Sequence, residues 1–333
     1  NGCSGEARCL QGQCIAAHNG LVRTTRHPSN PGSSLLGVGA HGAGSLYGYH
    51  MSKTAPGHIL RDNASKFGGW GLTIPLKLNA TEEVNQVKTL ANGDILVLGN
   101  YFKTEKKDSK TQKVMKASLT RIDSTHSKVL FELSLHACGS GCSSESIDAD
   151  TFADNSICVV TNHGLNGGRT ALRRMTSVGK VVWGKYMAGS GKFEQSGAAV
   201  AVAPDAAATL AINERWPEKK DSGRVMNISS SGGLLWSKTM LLSGDLRLFD
   251  ITHTGKGRVI VGGRHQLNSA VHQRILFGYS KTGKLLWTVQ PDVPDFAAIE
   301  SLLGQPEGAI VAGNMTGDSK ARVFVQRVDG NGM

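Results

Sequence analysis

About once every fifty residues a carboxylate recurs along this chain of 333 residues, at Glu83, Glu145, Glu194, Asp245 and Asp295. Eighteen to twenty residues after each stands a second position, held in turn by Tyr101, His163, Glu214, His265 and Met315. His41 aligns with the second set in the first repeat, and His18 with the carboxylates. Carboxylates grouped at one place raise one another's pKa or attract a hard cation such as calcium, which takes about 6 to 8 oxygen ligands. Histidine in alternate repeats, His41, His163 and His265, suggests three neutral imidazoles around a transition metal such as zinc, copper or iron. Geometry opposes that second idea. Strands about 4.8 Å apart hold histidines of alternate repeats roughly 15–20 Å from one another, whereas each ligand nitrogen must lie about 2.0 Å from the ion. The plainer reading is histidines hydrogen-bonded at loop starts and acids paired with nearby Lys or Arg. Calcium or a transition metal are the two cofactor classes these positions suggest.

Other constellations carry less. Asp148-x-Asp150-x-x-x-Asp154 lacks the Gly and distal Glu of a calcium loop, no Gly-x-Ser-x-Gly elbow occurs, and Cys138-Gly-Ser-Gly-Cys142 reads as a structural staple in a Gly-rich loop before it reads as a redox pair. Four Asn-x-Ser/Thr sites, at Asn63, Asn79, Asn227 and Asn314, are near what chance gives.

The elements that position these residues repeat as well. Gly69-Trp70-Gly71-Leu72, Lys128-Val129-Leu130-Phe131, Gly179-Lys180-Val181-Val182-Trp183, Gly232-Gly233-Leu234-Leu235-Trp236 and Gly283-Lys284-Leu285-Leu286-Trp287 are one strand written five times. Their aromatic residues are 61, 52, 53 and 51 positions apart. A strand-built unit with that period is a propeller blade of four antiparallel strands. The second strand of each blade is a short apolar run: Leu35 to Gly39, Ile95 to Gly99, Ile157 to Thr161, Ala208 to Ile212, Val259 to Gly263 and Ala309 to Gly313. Six runs predict six blades. The last blade stops at Asp329-Gly330-Asn331-Gly332-Met333, one strand short, and Gly12 to Ala16 has the form to close the ring and cover that edge. The Gly-x-x-x-Trp strands resemble those of quinoprotein-like bacterial repeat propellers, without the quinone-binding pattern. That resemblance implies a β-propeller whose tryptophans pack between blades, and no quinone site; with the six runs the expected fold is an all-β, six-bladed β-propeller.

The expected organisation is a Cys-containing tail over 1–11 and a single propeller over 12–333. Its blades fall near 19–76, 77–135, 136–187, 188–240, 241–291 and 292–333, with a closing strand in 12–18. Hydrophobic content of 39 % with 19 % charged residues suits a packed core, and forty-two glycines suit many tight turns. No apolar run reaches the roughly 20 residues of a membrane span. The net charge of +11 favours anionic surfaces. Much of the excess sits in two loops, Lys103 to Lys116 and Lys219-Lys220, without the interleaved aromatics of single-strand binders, so nucleic acid is not the expected partner. Six cysteines, Cys3, Cys9, Cys14, Cys138, Cys142 and Cys158, and Asn rather than Met at residue 1, read as a disulfide-bonded, processed chain in a secreted, periplasmic or cell-surface location. The leading functional reading is a binding module that takes a protein or an anionic polysaccharide through its channel-mouth loops, long at Tyr101 to Gln112 and Arg215 to Gly223. The alternative is a metal-dependent lyase or hydrolase working at the same mouth.

Overall fold

The structure, a computed structural model, describes residues 8–10, 13–15, 34–41, 45–52, 55–62, 70–75, 81–90, 92, 94–107, 110–123, 128–135, 142–164, 168–187, 194–216, 219–268, 271–291, 296–318 and 320–332. Among them every regular element is a β-strand. The chain divides into two units, Asn1–His136 and Ala137–Met333.

In the first unit β1 (Arg8–Leu10) and β2 (Gln13–Ile15) pair only with each other. The sequence places a blade-closing strand here, but the ladder sets Cys9 opposite Cys14 in a small hairpin instead. β3 (Ser34–His41), β4 (Ser45–Ser52), β5 (Ala55–Asp62) and β6 (Trp70–Pro75) form one antiparallel sheet in chain order. β7 (Thr81–Thr89), β8 (Ile95–Lys107), β9 (Lys110–Asp123) and β10 (Lys128–Ser134) form the next. Two expectations change. The run Leu35 to Gly39 lies in the first strand of its sheet, not the second, because β3 turns directly into β4 with His41 opposite Ser45. The long polar loop expected at Tyr101 to Gln112 is a hairpin extension in which Lys107 pairs with Lys110.

The second unit repeats one plan. β11 (Ser144–Thr151), β12 (Ile157–His163), β13 (Arg169–Met175) and β14 (Val181–Met187) make its first sheet. β15 (Glu194–Val202), β16 (Ala208–Arg215), β17 (Ser222–Ile228) and β18 (Leu234–Met240) make the second. β19 (Asp245–His253), β20 (Val259–Gln266), β21 (His272–Tyr279) and β22 (Leu285–Val289) make the third, and β23 (Ala297–Gln305), β24 (Gly308–Asp318) and β25 (Lys320–Asp329) a three-stranded fourth. The second strands are apolar without alternation because both of their faces are covered: Val159, Val160, Leu210, Ile212, Val259 and Val261 are all fully buried. Each pair of consecutive sheets closes its own core. Cys158, Val160 and Leu172 meet Val200, Leu210 and Ile228 in one, while Val225 and Met240 meet Leu248, Ile251 and Phe277 in the next.

Two devices hold neighbouring sheets together. Each fourth-strand tryptophan donates its indole N–H to a carbonyl in the last turn of the following sheet: Trp183 to Ser230 at 2.8 Å, Trp236 to Lys281 at 2.9 Å and Trp287 to Gly330 at 2.8 Å. The glycine of that turn lies flat on the same ring. Gly283, at φ +81°, would bring a Cβ within 2.6 Å of the Trp236 indole. The recurring Gly-x-x-x-Trp pattern is therefore two halves of a clasp between consecutive sheets, which accounts for both residues at once.

The second device uses the first strands, each at the edge of its sheet, so that its outward backbone N–H groups have no partner strand in that sheet. Acceptors on the preceding sheet take them. Asp148 accepts from Val200 at 2.7 Å, Asp150 from Val202 at 2.7 Å and Asp250 from Leu302 at 2.6 Å. Asn162 and Asn213 accept in the same way from Gly197 and Leu248. Asp154 pairs with Arg174 at 2.7 Å. The Asp148-x-Asp150-x-x-x-Asp154 set is thus occupied with structural bonds and is not a calcium loop.

Candidate functional site

In the second unit, first strands begin and second strands finish at one end of the sheets, the loop end. The hairpin turns that join first to second and third to fourth strands lie at the other. Glu145, Glu194 and Asp245 stand at or next to the start of β11, β15 and β19, and His163 and His265 at or next to the end of β12 and β20. Glu83 lies near the start of β7 in the first unit. His41 ends β3, a first strand, so it occupies the opposite strand end from the one the sequence alignment gives it. Asp295 and His18 lie outside the described residues.

The two histidines sit in different surroundings. His163 is buried, with Nε2 2.8 Å from Thr161 Oγ1 and 3.4 Å from Arg173 Nη2, and Arg173 donates onward to the Tyr186 hydroxyl at 3.3 Å. It belongs to a polar network within one sheet. His265 is also buried, its Nε2 against the backbone of Gly244, and neither ring nitrogen makes a well-formed hydrogen bond. Burial pushes its pKa down, Lys220 adds to that, and Gln290 and Asp245 act in the opposite sense. Among the described residues no three His, Cys, Asp or Glu side chains come together in a way that could hold one metal ion.

Glu214, in the same tier as these histidines, is an anchor. It is fully buried, 2.7 Å from Arg224 Nε, and accepts from Gln195 Nε2 and from Ser222 Oγ, each at 3.2 Å. Ser222 Oγ in turn accepts from Trp216 Nε1 at 3.2 Å. This chain of bonds fixes the edge of Trp216 at the root of the loop between β16 and β17, and Lys219 Nζ lies 5.1 Å from the centre of the Trp216 ring. Trp216 is the one tryptophan of five outside the blade-strand pattern, a signal in the sequence that a period search passes over.

The same loop ends at Asp221, whose N–H donates to Asp245 Oδ1 at 2.9 Å and whose carboxyl accepts the N–H of Trp216. Burial first, and then the Asp245 charge, raise the Asp221 pKa, with Arg247 and Arg215 acting to lower it. Around these acids Arg215, Lys219, Lys220 and Arg247 are exposed. The nearest acid to Arg215 is Glu194, at 3.9 Å and itself half exposed, a distance and exposure at which pairing adds little. At the hairpin end Arg174 pairs with Asp154, Lys281 with Asp205 and Lys256 with Glu307, each at 2.7 Å, while Lys180 and Lys284 are exposed. Four exposed cations thus stand at the loop end, with an aromatic ring and a carboxyl pair.

The Lys103 to Lys116 segment behaves otherwise. Lys116 is buried and lies 3.1 Å from Glu105, so part of the charge counted in sequence is internal.

No family model and no curated protein matches the chain. Among solved structures it is similar to the polysaccharide lyase PL25 ulvan lyase bound to -[GlcA(1-4)Rha3S]-, at 10% identity and a TM-score of 0.60, over 88% of this chain and 80% of that one. It is also similar to the α-L-arabinanase of Penicillium chrysogenum complexed with arabinobiose, at 10% identity and a TM-score of 0.51, over 89% and 93%. Likeness at that identity is a likeness of fold. The protein is all-β, built of antiparallel, mostly four-stranded sheets, and its fold is of the β-propeller type.

Proposed function

We propose that the chain is a six-bladed propeller acting outside the cytoplasm, in a secreted, periplasmic or surface location, as a binding module for an anionic polysaccharide. One observation carries this reading: Arg215, Lys219, Lys220 and Arg247 are exposed at the loop end, with Lys219 over the ring of the anchored Trp216. Cationic side chains suit sulfate or carboxylate groups, and an indole fixed by its N–H offers an amphipathic surface to a sugar ring. The similar lyase was solved with a sulfated, uronate-containing saccharide, which is compatible with that choice.

A metal-independent variant of the enzyme reading has its own support in the Asp221–Asp245 contact beside the buried imidazole of His265. Two carboxyls in unlike environments, with a neutral histidine nearby, are what acid–base cleavage of a glycosidic bond uses.

Affinity electrophoresis tests the binding reading. Migration of the pure protein should be retarded by a sulfated polysaccharide and by a polyuronate, and not by a neutral glucan. Retardation should weaken as salt screens the charges, and Lys219→Ala with Lys220→Ala should reduce it about tenfold, each exposed contact contributing up to about 1 kcal/mol. Equal retardation by the neutral glucan, or none by either anionic polymer, overturns the proposal. Release of reducing ends or unsaturated products from the retained polymer establishes the enzyme instead.

A further inference from the structure

A second site, between the next pair of sheets and apart from the Trp216 loop, follows from a break in the repeat. Four residues after each fourth-strand tryptophan of the second unit stand Met187, Met240 and Pro291. Met187 pairs with Thr170, and Met240 with Gly223, over which its methyl group lies. Arg274 holds the place of Thr170 and Gly223, one residue beyond the His265–Gln273 pair, just as Gly223 follows the Glu214–Ser222 pair. In two sheets, therefore, a methionine closes the space beside a small partner. In the third, proline and arginine replace both. Proline has no N–H for the ladder, so β22 stops at Val289 and the space is left open.

The result is a cavity of about 150 Å³ between the β19–β22 sheet and the β23–β25 sheet, walled by Leu276, Val289, Ile299 and Val311. Arg274 and Gln290 also line it, and the Arg274 guanidinium is stacked 4.9 Å from the centre of the Phe324 ring. An apolar cavity of about this volume accepts a benzene-sized body. An arginine at its wall selects for a carboxylate on that body. We infer that the cavity between these two sheets is a binding site for a small monocarboxylate with a flat or branched apolar body, its carboxylate on Arg274 and its body against the four aliphatic side chains.

The test uses the full chain and benzoate as probe, with benzyl alcohol as its neutral counterpart, in saturation-transfer NMR and calorimetric titration. Benzoate should bind saturably, and benzyl alcohol about tenfold more weakly, the loss of one charge-assisted contact. Arg274→Gln should bring benzoate down to the level of the alcohol without changing the alcohol's own affinity. Pro291→Met should refill the space and abolish binding of both, with an unchanged thermal midpoint showing that the sheet is intact. If that variant does not fold, Val289→Phe supplies a plug from another wall. Absence of saturable benzoate binding, equal affinity for the alcohol, or binding that survives the plug overturns the inference. Retardation by polysaccharide should be unaffected by either plug, which separates this site from the Trp216 loop.

Discussion

Replacing Gly283 and Gly257 by alanine, one at a time, separates the clasp between sheets from the backbone strain of its turn. Both glycines have left-handed backbones, at φ +81° and +74°. At Gly257 an added Cβ meets only the end of the Lys281 side chain at 3.8 Å, whereas at Gly283 it meets the Trp236 ring at 2.6, 2.8 and 2.9 Å. The left-handed conformation costs alanine about 1–2 kcal/mol, offset by about 0.4–1 kcal/mol from its stiffer unfolded chain. Gly257→Ala should therefore destabilise by about 0–1.6 kcal/mol. Gly283→Ala adds an overpacking cost of about 1–3 kcal/mol. It also displaces an indole whose hydrogen bond to Lys281 contributes about 1 kcal/mol, bringing the total to about 2–5.5 kcal/mol. Urea unfolding followed by tryptophan fluorescence reads both, since neither variant removes a tryptophan. Equal midpoints for the two variants refute the clasp.

Asp250→Ala should cost about 1.5–3 kcal/mol, because it strips a charged acceptor from the Leu302 N–H on the open edge of β23, and the same urea measurement checks it. His253 and His265 both have pKa values lowered by burial from 6.5. Below about pH 6.5 the unfolded chain therefore binds protons that the folded one resists, and stability should fall on acidification through that range. His253→Gln should flatten the slope of thermal midpoint against pH between about 6.5 and 5, and an unchanged slope contradicts the assignment. Cys158 is fully buried and its thiol is pushed well above the ordinary range by burial and by Asp150 and Asp148. It should resist a thiol reagent in the native protein and react once urea unfolds it.

Much of the strand order in the second unit was legible because turn glycines and apolar second strands recur at a fixed spacing. Ile157, Ala208 and Val259 begin strands just where the apolar runs begin. The first sheet misled because its first strand is as apolar as a second strand, so Leu35 to Gly39 was shifted by one strand and His41 went with it. Glu145, Glu194 and Asp245 stand at the strand starts that the repeat predicts, yet what each does depends on neighbours far away in sequence. Asp245 meets a backbone N–H 24 residues upstream, and Glu214 is spent on anchoring Trp216. Trp183, Trp236 and Trp287 were correctly read as packing residues, but their glycine partners lie one repeat downstream, and a single strand motif does not reveal that. Pro291 is visible only after the methionines are aligned with it.

Oxidative footprinting of the five tryptophans with and without a sulfated polyuronate tests the central proposal most directly. Trp216 should lose reactivity in proportion to the polymer bound and regain it in high salt, while Trp183, Trp236 and Trp287 keep theirs. Unchanged reactivity at Trp216 when the polymer is bound would contradict the assignment of the loop end as the binding surface.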